Sequence, residues 1–379
     1  MTMIYFDNSS TTLPDEEVMA SFVEANRRFF ANPASIHGLG TDAEKLLERA
    51  KEQMLKIVHC ENGEVIVTSG GTESNNLAVI GFARALQHRG NHIITTSIEH
   101  PSILNACRYL EEEGFEVDYM PVDEEGCISV EKLIRKIKKE TILVSIMHVN
   151  NEIGSIQPIQ EIAKAVKERS RAVFHSDCVQ SFGKIPVAMD ENGPDAITLS
   201  AHKINGLKGT GALIMKHGIR PQPLTYGGGQ EKGLRNGTVS VPNAVALAKA
   251  MRMSAVETER KDFREWRNEL IAFCNQYENI KVIAENSAAP HILSLSFKHI
   301  NGEVAINYFQ ENDIYISTSS ACSSKNKQIS HVIEAIHLEN SFKSGVVRLS
   351  FGKDNHKEQI EICKDVIKRF MELMERGLK

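Results

Sequence analysis

The 379-residue sequence contains no apolar run close to the roughly 18 residues that a membrane-spanning helix needs. Its first residues, MTMIYFDNSSTT, lack the basic start and the apolar stretch of a secretion signal. Neither charge sign forms a long block, since 44 Lys and Arg are interspersed with 49 Asp and Glu, for a net charge of -5. These absences predict a cytoplasmic protein without a membrane segment, and they argue against nucleic acid as a direct ligand.

Cysteine is present but lacks the spacing of its two common structural uses. The sequence has no C-x-x-C pair and no cluster of cysteine with histidine, which argues against a zinc site, and we predict no metal. An odd number of cysteines also fits a disulfide framework poorly, so most should be free thiols packed as small apolar groups. The seven positions are Cys60, Cys107, Cys127, Cys178, Cys274, Cys322 and Cys363.

What the sequence does contain is a regular alternation of two patterns. Short β-branched runs predict strands at Glu64 to Thr68, His92 to Thr96, Phe115 to Pro121, Thr141 to Met147, Ala172 to His175, Asp195 to Leu199 and Gly211 to Met215. Segments with apolar residues at helical spacing lie between them, at Ser74 to His88, Ser102 to Glu113, Ser129 to Lys139 and Ile159 to Arg169. This alternation predicts an α/β fold with a mostly parallel sheet covered on both faces.

The pattern changes after about Tyr226, where three glycines precede a long helical pattern from about Val241 to Gln276. Beyond it, short strands at His291 to Phe297 and Val346 to Phe351 mix with helices, as in a smaller α+β unit. We predict an N-terminal segment, 1–20, that packs with the small domain, a large domain at 21–260 and the small C-terminal domain at 261–379.

A glycine-rich turn, Ser69-Gly70-Gly71-Thr72-Glu73-Ser74, follows the strand at Glu64 to Thr68 and opens a helix. Free backbone N–H groups at a helix N-terminus bind phosphate groups well. Such turns also serve as simple tight connections, so this motif alone leaves both interpretations open.

Two further strands end in side chains with useful chemistry. Asp177 lies at a carboxyl edge, where open α/β sheets bind ligands, and it could face a ring nitrogen or cap a following helix. Lys203 follows another strand and could form a Schiff base, although a lone lysine at a strand end is usually solvated. A phosphate cup, a carboxylate and a lysine in this order favour a pyridoxal phosphate (PLP) enzyme, because PLP needs all three.

Motifs along the whole chain agree with this interpretation: Ser69 to Asn75, Glu99-His100, His148 to Gly154, Asp177 with Gln180, and Ser200-Ala201-His202-Lys203. They resemble the cysteine desulfurases, in the class V branch of the fold-type I aminotransferases. The resemblance runs from Tyr5 to about Gly352 and points to the NifS/IscS-like subgroup. It implies a fold-type I PLP-dependent transferase with a large, mostly parallel seven-stranded sheet domain and a smaller α+β C-terminal domain.

The resemblance also implies roles around the cofactor. Lys203 would form the Schiff base, Asp177 would pair with the pyridinium nitrogen, and His100 would stack on the ring and carry protons near the substrate thiol. Gln180 would bond the phenolic oxygen, and Asn151 would contact cofactor or substrate beside it.

The remaining implied roles concern the phosphate and the substrate. The phosphate would be held by Gly71, Thr72, Ser200 and His202. Thr238 matches a threonine that reaches the phosphate of the neighbouring subunit, which implies a homodimer with shared active sites. Arg348 matches the arginine that clamps the carboxylate of L-cysteine, a task that suits a bidentate guanidinium.

The segment Ser317-Thr318-Ser319-Ser320-Ala321-Cys322-Ser323-Ser324 is polar, rich in small residues and without amphipathic period. That composition predicts a mobile loop instead of a core position. In the family this cysteine attacks the substrate sulfur and carries it away as a persulfide. The resemblance therefore gives Cys322 as the catalytic thiol, on the small domain.

Three residues depart from the family pattern without removing a reacting group: Ala201, Leu207 and Cys178. Cys178 is either a buried filler or a second thiol near the cofactor. Rival interpretations are a selenocysteine lyase or another class V aminotransferase, and a catalytically silent scaffold that binds sulfur-trafficking partners. The sulfur acceptor is open among an iron–sulfur scaffold, a tRNA-thiolating enzyme and a thio-cofactor carrier, and the short C-terminus tilts the expectation toward the last two.

Overall fold

The computed structural model describes residues 3–256, 261–318 and 329–377. Its strands are β1 (Ile4–Tyr5), β2 (Glu64–Thr68), β3 (His92–Thr96), β4 (Glu116–Met120), β5 (Thr141–Ser145), β6 (Val173–Asp177), β7 (Ala196–Ser200), β8 (Gly211–Met215), β9 (Ile280–Ile283), β10 (Ile292–Phe297), β11 (Ile314–Tyr315), β12 (Ser317–Thr318) and β13 (Val346–Ser350). Its α-helices are α1 (Glu16–Arg28), α2 (Gly38–Ile57), α3 (Gly71–Leu86), α4 (Pro101–Glu112), α5 (Val130–Lys136), α6 (Ile159–Arg169), α7 (Val241–Val256), α8 (Lys261–Cys274), α9 (Gly302–Glu311), α10 (His331–Ala335) and α11 (Lys357–Gly377).

The large sheet has seven strands in the order β2-β8-β7-β6-β5-β3-β4. Neighbours are parallel except β8, which runs antiparallel to both β7 and β2. The connection from β7 to β8 is short and contains only a turn of 3-10 helix, Ala201–Lys203, whereas parallel neighbours need longer crossovers. The predicted mostly parallel, seven-stranded sheet is therefore confirmed.

Helices cover both faces of this sheet, as the alternation of side chains requires. On one face, Ile93, Leu143 and Leu213 pack against α3 and α4. On the other, Val67 and Ile197 pack against α2 and α7, and the neighbouring strands there pack against α5 and α6. Because most strands are buried on both faces, their sequences are continuous apolar runs.

A second apolar core lies in the C-terminal part of the chain. The sheet β12-β13-β10-β9 packs with α8, α9 and α11 around Phe297, Phe309 and Phe370. Ile4 and Phe6 belong to the same core, and β1 pairs in parallel with β11. These contacts support the predicted N-terminal segment and small domain, whose boundaries at 1–20, 21–260 and 261–379 stay predictions.

The long helical pattern predicted from Val241 to Gln276 corresponds to α7 and α8, with 257–260 outside the described residues. No helix in the described ranges is long and apolar enough to cross a bilayer. The same part of the chain contains no group of three or more acidic, histidine or cysteine side chains arranged to hold a metal ion.

Candidate active site

The candidate residues gather at one edge of the large sheet. β2, β3, β5, β6 and β7 all run in the same direction, so their carboxyl ends meet at this edge. Asp177 ends β6, and Ser200 ends β7 directly before Lys203. The glycine-rich turn follows β2, His100 follows β3, and Asn151 follows β5.

The turn after β2 opens α3, as predicted. Gly70 has a φ of +152°, a backbone conformation that favours glycine. A Cβ on Gly71 would lie 3.1 Å from Cγ2 of Val179, so the missing side chain lets the segment after β6 approach this turn. The N-terminus of α3, with Thr72 exposed beside it, is therefore shaped as an anion site.

The carboxylate of Glu73 links the glycine-rich turn to Arg235. Its carboxylate accepts from the N–H of Ser69 at 2.6 Å and from Nε of Arg235 at 2.9 Å. Burial opposes these bonds, but together they hold the pKa of Glu73 below its ordinary value. The turn is thus tied to the segment that carries Thr238.

Asp177 is buried, and each of its oxygens has a donor. Oδ1 accepts from the N–H of Val179 at 2.9 Å, and Oδ2 accepts from Nδ2 of Asn75 at 2.7 Å. The alternative that Asp177 caps a helix is correct only in part, because the capped segment is a series of turns and not an α-helix.

His100 begins α4 as its N-cap, where Nδ1 accepts from the N–H of Ser102 at 3.2 Å and also lies 2.8 Å from its hydroxyl. Burial is the main cause that lowers the pKa of His100, with Asp177 acting in the opposite direction and Lys203 adding to the decrease. Both charged groups therefore lie near the ring, which brings three predicted residues together.

Lys203 contacts the N-terminal segment, for which the sequence predicted packing with the small domain but no site residue. Its ammonium donates to the carbonyls of Ser9 at 2.5 Å and Ser10 at 2.7 Å. Gln180 donates to the same Ser9 carbonyl at 3.0 Å. Nδ1 of His202 lies 3.1 Å from the hydroxyl of Thr11, and burial, helped by neighbouring lysines, lowers its pKa to about 4. The N-terminal segment is therefore one wall of the site.

Arg348 lies on β13 and is 3% exposed. Its guanidinium donates to the carbonyl of Asn151, to Oδ1 of Asp7 at 2.9 Å and to the hydroxyl of Ser10 at 2.7 Å. Its buried Nε has no hydrogen-bond partner in the part of the chain that the structure describes. A buried donor without a partner is unfavourable, so this edge of the guanidinium is suited to an added acceptor.

Two buried carboxyl groups flank these residues. Glu99 accepts from the N–H of Met147 and the hydroxyl of Thr96, and burial raises its pKa to about 8. Glu152 accepts from the hydroxyl of Ser330 at 2.6 Å, and burial raises its pKa to about 7.

Two predicted residues are not joined to this cluster. Thr238 is exposed and makes no hydrogen bond to the other candidates within the described ranges. Cys322 lies outside the described residues. The strand β12, which ends four residues before Cys322, pairs with β13, where Ser317 lies opposite Arg348.

The cysteines behave as expected where they are described. Cys60, Cys107, Cys127, Cys178, Cys274 and Cys363 are free thiols. Cys178 is fully buried, and this burial raises its pKa to about 12, which suits a core residue and not a nucleophile.

The chain matches the family of class-V aminotransferases over residues 4–363. The chain belongs to this family. It is 38% identical to the cysteine desulfurase IscS of Dictyoglomus turgidum over 373 residues, covering 97% of this chain and 94% of that protein. It is also 38% identical to cysteine desulfurase IscS 1 of Archaeoglobus fulgidus, covering 96% of each.

Solved structures agree with the sequence relatives. A NifS-like protein, 33% identical, superposes with a TM-score of 0.90 and covers 98% of this chain and 100% of its own. A structure named SspA in complex with cysteine, 32% identical, has a TM-score of 0.81 over 92% of this chain and 99% of its own. The fold is thus the fold-type I architecture that the resemblance implied.

Enzymes of this family use PLP, and the residues present fit it. The buried Asp177 carboxylate suits a protonated ring nitrogen, and the primary amine of Lys203 lies on the same edge of the sheet. The open N-terminus of α3 suits the phosphate. The half-buried ring of His100, whose pKa is lowered mainly by burial, offers a flat surface for stacking.

Proposed function

We propose that this chain is a PLP-dependent cysteine desulfurase, which converts L-cysteine to L-alanine and transfers the sulfur to Cys322. The observation that carries the proposal is that Lys203 and Asp177 lie at one edge of the large sheet, where Ser10 bonds both Lys203 and Arg348. An amine, a buried carboxylate and a buried guanidinium with an unpartnered Nε suit an amino-acid substrate held next to PLP. Bound PLP supplies an electron sink for the electrons of the broken Cα–H bond.

The residues of the chain have separate tasks. Asp177 would face the ring nitrogen of bound PLP and favour its protonated form, which is the stronger electron sink. Lys203 would hold the cofactor through its amine, and the same amine would take the α-proton of the substrate. The carbonyls of Ser9 and Ser10 accept from this amine, and they orient it.

Arg348 would bind the substrate carboxylate through its free Nε edge, with Asn151 beside it. The bonds to Asp7 and Ser10 already fix the plane of the guanidinium, so little side-chain entropy is lost when the substrate binds. Gly71, Thr72, Ser200 and His202 would hold the phosphate, and Gln180 the phenolic oxygen.

Cys322 would complete the reaction. Its thiolate attacks the substrate sulfur, the C–S bond breaks, and the electrons of that bond return to the substrate, which leaves as alanine after protonation. The products are one alanine and one Cys322 persulfide for each cysteine, so no external oxidant or reductant is required. Cys322 is four positions beyond Thr318 in the sequence, and a fully extended chain covers at most about 14 Å over four positions.

We further propose a homodimer in which Thr238 reaches the phosphate of the partner subunit. The exposure of Thr238 supports this arrangement, because its side chain is available to a partner subunit. The six described free thiols support a reducing, cytoplasmic location. The acceptor of the sulfur would be a protein, either a tRNA-thiolating enzyme or thio-cofactor carrier, or an iron–sulfur scaffold.

The products distinguish this proposal from its rivals. Purified protein with PLP and L-cysteine, without any keto acid, should release alanine and should retain an equal amount of sulfur bound to the protein. An aminotransferase would instead form a keto acid and stop after one turnover, and a silent scaffold would form neither product. Release of selenium from selenocysteine, with no alanine from cysteine, would establish the selenocysteine lyase.

A further inference from the structure

Four buried or half-buried polar side chains form a continuous series of hydrogen bonds that joins two residues of the candidate site, Asp177 and His100. Asp177 Oδ2 lies 2.7 Å from Nδ2 of Asn75, and the same Nδ2 lies 2.9 Å from Oγ of Ser102. Oγ of Ser102 lies 2.8 Å from Nδ1 of His100. Neither Asn75 nor Ser102 was among the predicted site residues, yet together they connect two that were.

The direction of each bond follows from the groups at the two ends. The carboxylate of Asp177 accepts, so the amide nitrogen of Asn75 faces it, and the second N–H of that nitrogen donates to Ser102. The hydroxyl of Ser102 receives this bond and has one hydrogen left to give. The acceptor within reach is Nδ1 of His100.

A second bond fixes the role of Nδ1. The backbone N–H of Ser102 points to the same nitrogen at 3.2 Å. A backbone N–H can only donate, so Nδ1 carries no hydrogen of its own. A neutral imidazole holds one ring proton, which must then be on Nε2.

We propose that Ser102, aligned by Asn75 and Asp177, is a positioning residue that keeps His100 neutral with its ring proton on Nε2. The inference rests on the proposed function and on the stacking of His100 against the cofactor, which the family resemblance implies. The ring then presents an N–H donor to the reacting groups, while its lone pair is occupied by Ser102. His100 therefore acts as a hydrogen-bond donor and stacking surface, and not as the base that takes the proton of the substrate thiol.

The charged and titratable neighbours of His100 come from four parts of the chain. They are Asp177 on β6, Lys203 after β7, His331 on α10 and Glu99, the residue directly before His100. Asp177 favours the imidazolium and Lys203 disfavours it. The two donors to Nδ1 also disfavour it, because they bond only to the neutral ring. Loss of one donor should therefore raise the pKa of His100.

The test is a pH titration of ¹⁵N-histidine-labelled holoenzyme by NMR, with His100→Gln used to identify the His100 signals. The parent should show a protonated Nε2 and an unprotonated Nδ1. Ser102→Ala keeps the backbone donor, so the tautomer should remain, while the pKa should rise by about half to one unit for one lost hydrogen bond. Ser102→Thr keeps the hydroxyl and should titrate like the parent.

The matched control is Ser97→Ala, because the hydroxyl of Ser97 is buried and has no partner within the described ranges. It should leave the titration of His100 unchanged. A parent protein with the proton on Nδ1, or a Ser102→Ala protein that titrates like the parent, would overturn the proposal. Because the spectrum does not depend on turnover, an inactive enzyme with a protonated Nε2 would refute the proposed function alone.

Discussion

Arg348→Lys separates carboxylate recognition from the rest of the chemistry. The guanidinium of Arg348 bonds Asn151, Asp7 and Ser10 and still has its Nε–H for the substrate. A lysine keeps the positive charge but lacks the planar group, so it cannot make these three bonds and also bond the substrate. One charge-assisted hydrogen bond contributes about 1.5 to 3 kcal/mol. Loss of one such bond to the substrate corresponds to an increase in KM of about 10- to 150-fold, at 1.4 kcal/mol for each factor of ten.

The assay compares L-cysteine with cysteamine, which lacks the carboxylate, as ligands of the PLP-loaded protein. Arg348→Lys should raise KM for L-cysteine with a smaller effect on kcat, and it should leave the affinity for cysteamine nearly unchanged. The ratio of the two affinities is the readout, because a general disturbance of the site would weaken both ligands together.

Arg267→Lys is the matched control. Arg267 is also buried, and its guanidinium donates to three backbone carbonyls, those of Ile292, Glu285 and Ala284. Its replacement should lower the thermal midpoint without changing the ratio of affinities. An equal loss of L-cysteine and cysteamine binding in Arg348→Lys would refute the role of Arg348 as a carboxylate clamp.

Three other substitutions test Lys203, Asp177 and Glu99. Lys203→Ala should abolish turnover and leave no PLP that borohydride can fix to the protein, and PLP still fixed after reduction would contradict the assignment. Asp177→Asn should retain PLP but slow release of the α-deuterium from labelled cysteine, whereas an unchanged rate would remove its role at the ring nitrogen. In the parent, the buried Glu99 carboxyl keeps a proton that the unfolded chain loses, so the free energy of unfolding should fall by up to ~1.4 kcal/mol per pH unit as pH rises from about 4.5 to 8. Glu99→Gln should remove this pH dependence. Urea unfolding of the two proteins across this range would disprove the prediction if both free energies changed with pH in the same way.

The large sheet was predictable because its strands are short, most of them are buried on both faces, and they are bounded by polar residues or glycine. The predicted bounds of β2, β3 and β8 agree with the structure, and those of β4 to β7 differ by one or two residues at their ends. The antiparallel direction of β8 was not predictable from its apolar pattern, which is the same for a parallel strand. The pairing of β1 with β11 was also missed, because two-residue strands carry no periodicity.

Within the site, the residues at strand ends were the predictable ones. Asp177 and Lys203 follow apolar runs, so their place at the carboxyl edge follows from the fold class. The contacts of Asp7 and Ser10 with Arg348 join residues more than 330 positions apart, which no local pattern encodes. Ser102 was recognisable only as a polar residue near a helix start, a place that serine often takes for capping alone.

In the proposed reaction Cys322 receives the sulfur, and the most direct test is mass spectrometry of the peptide that contains this residue. After one equivalent of L-cysteine, without reductant, this peptide should carry one additional sulfur atom in the parent protein. Cys322→Ser should still bind PLP and L-cysteine, carry no additional sulfur on any peptide and release alanine only at background level. Alanine release by Cys322→Ser at the parent rate, or the additional sulfur on another cysteine such as the half-buried Cys127, would show that Cys322 is not the residue that takes the sulfur.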